Sequence, residues 1–189
     1  GDAAKIDAIV QARLDAFLIP GAVVAVFDPE RGSFVRAYGT ADEAGNRQMS
    51  VDDHFRVGSV SKTFTATAIL RLADEGKLSL DDPLGKFVPD VPNGETITIR
   101  DLLGMRGGVF DYTKDPGYAL VEYLDALVPW QTGDEIALIA AQPQEAKPPN
   151  TETVYCNAEF SLLGLVLERV LGQPARSIVN AAIGELGLP

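Results

Sequence analysis

The chain has 189 residues, 16 Lys+Arg against 27 Asp+Glu, a net charge of −11, and 46% apolar and 23% charged residues. That composition is too apolar for a disordered chain and, with no clustered basic residues, argues against nucleic-acid binding through counterion release. No apolar run is long enough to span a bilayer, and one cysteine (Cys156) with one histidine (His54) excludes an internal disulfide and argues against a His/Cys metal centre.

From the N-terminus, Gly1-Asp2 reads as a processed end, so any export signal is expected to be gone already. Residues 4–18 place Ile6, Ile9, Val10, Leu14 and Phe17 at helical spacing, and Pro20-Gly21 ends that helix. AVVAVFD (22–28) and SFVRAYGT (33–40) flank a turn at 29–32 and predict a hairpin. A lone hairpin is marginal in water, so these strands expect sheet partners. Residues 61–77 predict a helix with Phe64, Ala68, Ile69, Leu72 and Ala73 on one face and a stop at Gly76. Thr98 to Asp101 resembles a capping box for a short helix reaching Met105, closed by Gly107-Gly108. Further helices are predicted over 118–128, 133–141, 157–171 and 174–184, with a polar, Pro-rich loop at 142–154. The order is helix, two strands, then many helices, an α+β pattern with its sheet unfinished.

Two short motifs carry chemistry. Ser59 and Lys62 stand three residues apart at the head of a helix, on one face and near the positive end of its dipole. A serine needs a neighbouring base to become a nucleophile, and a desolvated lysine is one such base. The same pair also reads as a serine near a cap and a solvated lysine. Tyr155 and Asn157 bracket Cys156 in the second motif. A tyrosine hydroxyl relays protons and an asparagine amide holds a carbonyl, although Asn157 equally reads as the cap of the next helix.

FRVGSVSKTFTATAILRLADEGKLSLDDPLGKFVPD (55–90), ITIRDLLGMRGGVFDY (97–112) and PNTETVYCNAEFSLLGLVLE (149–168) together resemble the serine β-lactamase and penicillin-binding-protein superfamily. The similarity is to the branch of class C β-lactamases, D-alanyl-D-alanine carboxypeptidases and related esterases, and IPGAVVAVFD and FVRAYGTAD fit its opening. The resemblance implies a β-lactamase/transpeptidase-like fold: residues 1–50 as helix and strands of the sheet domain, 51–172 as the helical domain, and 173–189 as a helix leading back to the sheet. It implies that Ser59 is acylated, that Lys62 and Tyr155 handle protons with the division between them open, and that Asn157 contacts substrate. The Ser59 backbone N–H would be one oxyanion donor. No metal or cofactor is implied. The implied acyl donor is a β-lactam, a D-Ala-D-Ala-type peptide or an ester, and the family's export habit favours an extracytoplasmic location.

Two departures stand out. The family's third motif, Lys or His then Thr or Ser then Gly, has no match in these residues. The chain therefore reads as an N-terminal portion: shortened, nicked with its partner separate, or one half of a two-chain protein completed by a C-terminal polypeptide that brings the remaining strands. The competing expectation is a catalytically incomplete fragment or a non-catalytic β-lactam-binding or scaffold module, associating through its sheet edge. The second departure is Arg106, where many relatives carry Ser or Thr. Of the remaining candidates, His54 and Cys156 read as structural, and Asp52-Asp53 and Asp81-Asp82 as caps and turns. Trp130 and Tyr112 read as pocket-lining candidates.

Overall fold

The computed structural model describes residues 1–42, 44–124 and 132–185, and among them it shows seven α-helices and a two-stranded antiparallel sheet. The residues fall into two compact units, Gly1–Arg56 and Val57–Pro189.

The first unit holds α1 (Asp2–Phe17), β1 (Gly21–Asp28) and β2 (Gly32–Gly39). The helix stops where Leu18 turns left-handed, at φ 53°. The strands pair from Gly21 opposite Gly39 to Asp28 opposite Gly32, and Asp28 Oδ1 holds the turn by accepting from the N–H groups of Glu30 and Arg31. Asp7 ties helix to hairpin, accepting from Arg36 at 2.5 Å and from the Tyr38 hydroxyl at 2.7 Å. The apolar stripe expected to be buried is buried only at Leu14, and Ile9 and Phe17 stay exposed.

The second unit is built around α6 (Asn157–Leu171), whose Ala158, Leu162, Leu163, Val166 and Leu167 are fully buried. Against it pack α2 (Ser61–Asp74), α3 (Ile99–Leu103), α5 (Thr132–Ala141) and α7 (Ala175–Glu185), while α4 (Pro116–Leu124) follows the 3-10 turn Tyr112–Lys114. Helix α2 contributes Ala68, Ile69 and Leu72 to this core and ends in a Schellman motif, with Lys77 N–H on Leu72 C=O and Gly76 N–H on Ala73 C=O. Gly76, at φ +68°, takes the left-handed position that motif requires. The helix thus stops at Asp74, three residues short of the expected end.

The capping box predicted at Thr98 is present: Asp101 N–H donates to Thr98 Oγ1, and Asp101 Oδ2 accepts from Thr98 N–H. Helix α3 closes at Gly104, earlier than expected, because Met105 is already left-handed at φ 53°. Pro174 lies just before α7, its carbonyl accepting from Ser177 and Ile178. The predicted 118–128 helix matches α4 only to Leu124, and its remainder, like Trp130, lies outside the described residues.

Candidate active site

Ser59 lies in the 3-10 turn Gly58–Val60 that leads into α2, and Lys62 is the second residue of that helix. The local fold therefore points both side chains the same way, with Lys62 Nζ 3.2 Å from Ser59 Oγ. From the other side, Tyr155 brings its hydroxyl to 2.6 Å from the same Oγ. Lys62 Nζ also donates to Asn157 Oδ1 at 2.8 Å and lies 4.9 Å from the centre of the Tyr155 ring. Lys62 and Tyr155 thus converge on the Ser59 hydroxyl, across 96 residues of chain between Ser59 and Tyr155, and Asn157 joins them through Lys62.

Asn157 is not the helix cap. Cys156 takes that position without a side-chain hydrogen bond, and Asn157 is the first residue of α6. Its amide is consequently turned toward Lys62. Cys156 is buried, and desolvation pushes its thiol up to about 12, so it is an inert space-filler with Sγ 3.8 Å from Val109 C=O. Tyr155 behaves in the opposite sense. The hydrogen bond from Lys62 holds the phenol below the ordinary tyrosine value. An opposite charge beside a phenol favours the phenolate, which readies the group for proton transfer.

Tyr155 reaches this place because the loop before it is fastened to the segment after α3. Val154 N–H donates to Met105 C=O, Asn150 N–H to Arg106 C=O and Lys147 N–H to Gly108 C=O. Arg106 adds its guanidinium: Nε donates to Asn150 Oδ1 at 2.9 Å, Nη2 to Asn150 C=O at 3.0 Å and Nη1 to Thr153 Oγ1 at 3.0 Å. The departure at Arg106 is therefore a clamp on the loop. Gly108 faces Lys147 across this contact at φ +70°, where a Cβ would come within 2.6 Å of the Lys147 carbonyl oxygen. Beneath it, Glu159 of α6 accepts from Gly108 N–H at 3.1 Å.

Beside Lys62 opens a pocket of about 520 Å³. Tyr112 and Thr113 form one wall, Phe160 and Ser161 another, and Asn157 lies between them. Tyr112 is buried, its hydroxyl 3.1 Å from Ser161 Oγ, in keeping with the pocket-lining expectation. The acidic pairs are turns and surface pairs: Asp53 accepts from Ser50 N–H and Arg47, Asp82 from Ser79 N–H and Lys86, and Asp81 from Arg100. His54 belongs to the first unit.

Asp111 and Thr113 escaped the sequence reading. Asp111 is buried and accepts from Thr113 and from Asn157 N–H. The Asp-x-Thr spacing is a local sign of a side-chain-capped turn, but nothing in it points to Asn157, 46 residues away.

A profile of the beta-lactamase family matches residues 6–188. Protein flp of Staphylococcus aureus is 32% identical over 176 residues, covering 89% of this chain and 34% of that protein. Penicillin-binding protein 4 of Amycolatopsis lactamdurans is 30% identical over 176 residues, covering 86% of this chain and 42% of its own length. Among solved structures, a D-stereospecific amidohydrolase from Streptomyces sp. is similar with a TM-score of 0.77 and 33% identity, over 89% of this chain and 50% of that one. The chain thus spans between a third and a half of the length of these relatives.

Proposed function

The chain belongs to the beta-lactamase family, and from that premise we propose that its site performs acyl transfer through a Ser59 acyl-enzyme. The observation that carries this reading is the convergence of Lys62 Nζ and the Tyr155 hydroxyl on Ser59 Oγ, at 3.2 and 2.6 Å.

The reacting form carries Lys62 as the free amine and Tyr155 as the phenol. Tyr155 donates its hydrogen bond to Ser59 Oγ, so the serine's own proton is directed to Lys62. Ser59 Oγ attacks the acyl carbon as that proton passes to Nζ, and the carbonyl oxygen becomes an oxyanion facing the Ser59 backbone N–H. As the intermediate collapses, the bond to the leaving nitrogen or oxygen breaks and Tyr155 supplies its proton. Lys62, hydrogen-bonded to Tyr155, returns a proton to the phenolate. Water then takes the place of the leaving group and the steps reverse to free Ser59. Asn157 contributes an amide hydrogen facing the pocket, suited to an acyl-side carbonyl.

The substrate class we assign is a β-lactam, a D-alanyl-D-alanine-type peptide, or a related amide or ester. The relatives called penicillin-binding protein and D-stereospecific amidohydrolase support that range.

Intact-mass spectrometry after exposure to a penicillin and to a fluorophosphonate tests the reading. The expected result is one probe-sized increment on the wild-type protein and none on Ser59→Ala. A wild-type protein that takes up neither probe overturns acyl transfer and leaves the scaffold or binding-module reading; an increment that persists in Ser59→Ala moves the nucleophile elsewhere.

A further inference from the structure

Thr113 lies in the 3-10 turn Tyr112–Lys114, two residues after Asp111. Asp111 Oδ1 accepts from Thr113 Oγ1 at 2.8 Å and from Thr113 N–H at 3.2 Å, and Oδ2 accepts from Asn157 N–H at 3.3 Å. Each of these contacts uses Asp111 as the acceptor. The hydroxyl proton of Thr113 is therefore committed, and its oxygen has only lone pairs to offer Asn157. Asn157 Nδ2 meets that oxygen in a long contact of 3.4 Å, while Oδ1 takes the hydrogen bond from Lys62 at 2.8 Å.

While Lys62 is an ammonium it imposes this orientation by itself, because it has donors and no acceptor. A neutral lysine does not. It carries a lone pair as well as two N–H groups, so an amide turned through 180° satisfies it by donating Nδ2 to that lone pair. The flip would consume the electron pair that has to receive the Ser59 proton. What opposes it is on the far side of the amide: a flipped Asn157 would set its oxygen against a Thr113 oxygen that has no proton to give.

We propose that Thr113, its hydroxyl proton taken by Asp111, is a positioning residue that keeps the Asn157 oxygen on Lys62 and so reserves the lysine lone pair for Ser59. This rests on the acyl-transfer reading with Lys62 as the proton acceptor. The second Nδ2 hydrogen of Asn157 stays available to the pocket.

The test compares wild type, Thr113→Val and Thr113→Ser. Val keeps the shape and removes the hydroxyl; Ser keeps the hydroxyl. Acylation by a fluorescent penicillin or a fluorophosphonate is followed in time by intact mass, with thermal melts alongside. In parallel, side-chain amide NMR signals are recorded on protein carrying ¹⁵N-labelled asparagine, with Asn157 assigned from the Asn157→Ser spectrum. The expected result is acylation about 10–100-fold slower in Thr113→Val, the scale of a misoriented catalytic group. Thr113→Ser should return most of the rate, Thr113→Val should melt somewhat lower because buried Asp111 loses a donor yet stay folded at the assay temperature, and the Asn157 amide signals should move in the Val variant. Wild-type acylation by Thr113→Val overturns the proposal, as does an unmoved Asn157 amide. If wild type takes up neither probe, the acyl-transfer reading has failed and the amide signals alone decide the orientation: displaced signals uphold it and unmoved ones overturn it. Should Thr113→Val not fold, the wild-type spectrum decides: cross-peaks from the Asn157 amide protons to the Thr113 side chain are expected, and their absence overturns the proposal.

Discussion

At the scale of single residues, Glu159 is 1% exposed, with Oε1 on Gly108 N–H and Oε2 buried without a hydrogen-bond partner. Burial raises its carboxyl to about 7, with Asp101 and Asp111 adding to the rise and the Gly108 and Gly107 N–H groups opposing it. Because the folded value lies above the unfolded one, the native state holds the proton more tightly. The stabilisation is complete below the unfolded value and is lost as pH climbs to about 7. The span corresponds to about 3 kcal/mol at most. Glu159→Gln should therefore gain on wild type in thermal melts between pH 5 and pH 8. Parallel melting curves across that range would mean that the carboxyl is solvated or paired in solution. Tyr155 titrates in the other direction. Because the mechanism uses Tyr155 as a phenol and Lys62 holds that phenol below its ordinary value, acylation should fall off on the alkaline side before the ordinary tyrosine value of 10. Tyr155→Phe should lose about 10²–10⁴-fold in rate, with little change in melting because the ring is 52% exposed. A Phe variant with the wild-type rate would remove Tyr155 from the proton path.

At the scale of elements, the Arg106 clamp makes a separable claim. Its hydrogen bonds end on Asn150 and Thr153, close before Tyr155, so Arg106→Ala should slow acylation by about tenfold through misplacement of the phenol. Arg106→Lys should not recover the rate, since an ammonium lacks the planar fork that spans two residues. Stopped-flow or time-resolved mass measurements on both variants decide it, and full activity in either would reduce the clamp to a surface contact. This element also shows where sequence reading ends. The capping box at Thr98 and Asp101 was legible because both partners sit within one turn. Ser59 and Lys62 were legible for the same reason, their spacing alone placing them on one face. Arg106 and its partners are 44 and 47 residues apart, and no local pattern joins them. Tyr155 reached the candidate list through two short motifs read together and the family resemblance they carry. Asn157 was read as either cap or site, and the cap went to Cys156 because α6 begins at Asn157 itself.

On the scale of the whole molecule, the two units differ in what they bury. Among the described residues, Leu14 is the buried apolar side chain of Gly1–Arg56, whereas the core of Val57–Pro189 runs from Ala68 to Leu167. Local stability follows buried contacts, so amides of β1 and β2 should exchange with deuterium orders of magnitude faster than those of α6 between Ala158 and Leu167. Equal protection in the hairpin and in α6 would show that the first unit is held by more than its own residues. The periodicity that announced α2 and α6 worked because one face of each is buried in the second unit. The same periodicity in α1 announced a helix correctly but not its burial, since Ile9 is 64% and Phe17 66% exposed.

The state of Cys156 has a practical consequence. A buried thiol whose ionisation is opposed by desolvation, the single cysteine of the chain, should react slowly with alkylating reagents. A cysteine placed at Val57, exposed and two positions before Ser59, would then be the preferred point of attachment for a dye or spin label. The native sequence thus serves as its own slowly reacting background for watching a substrate arrive.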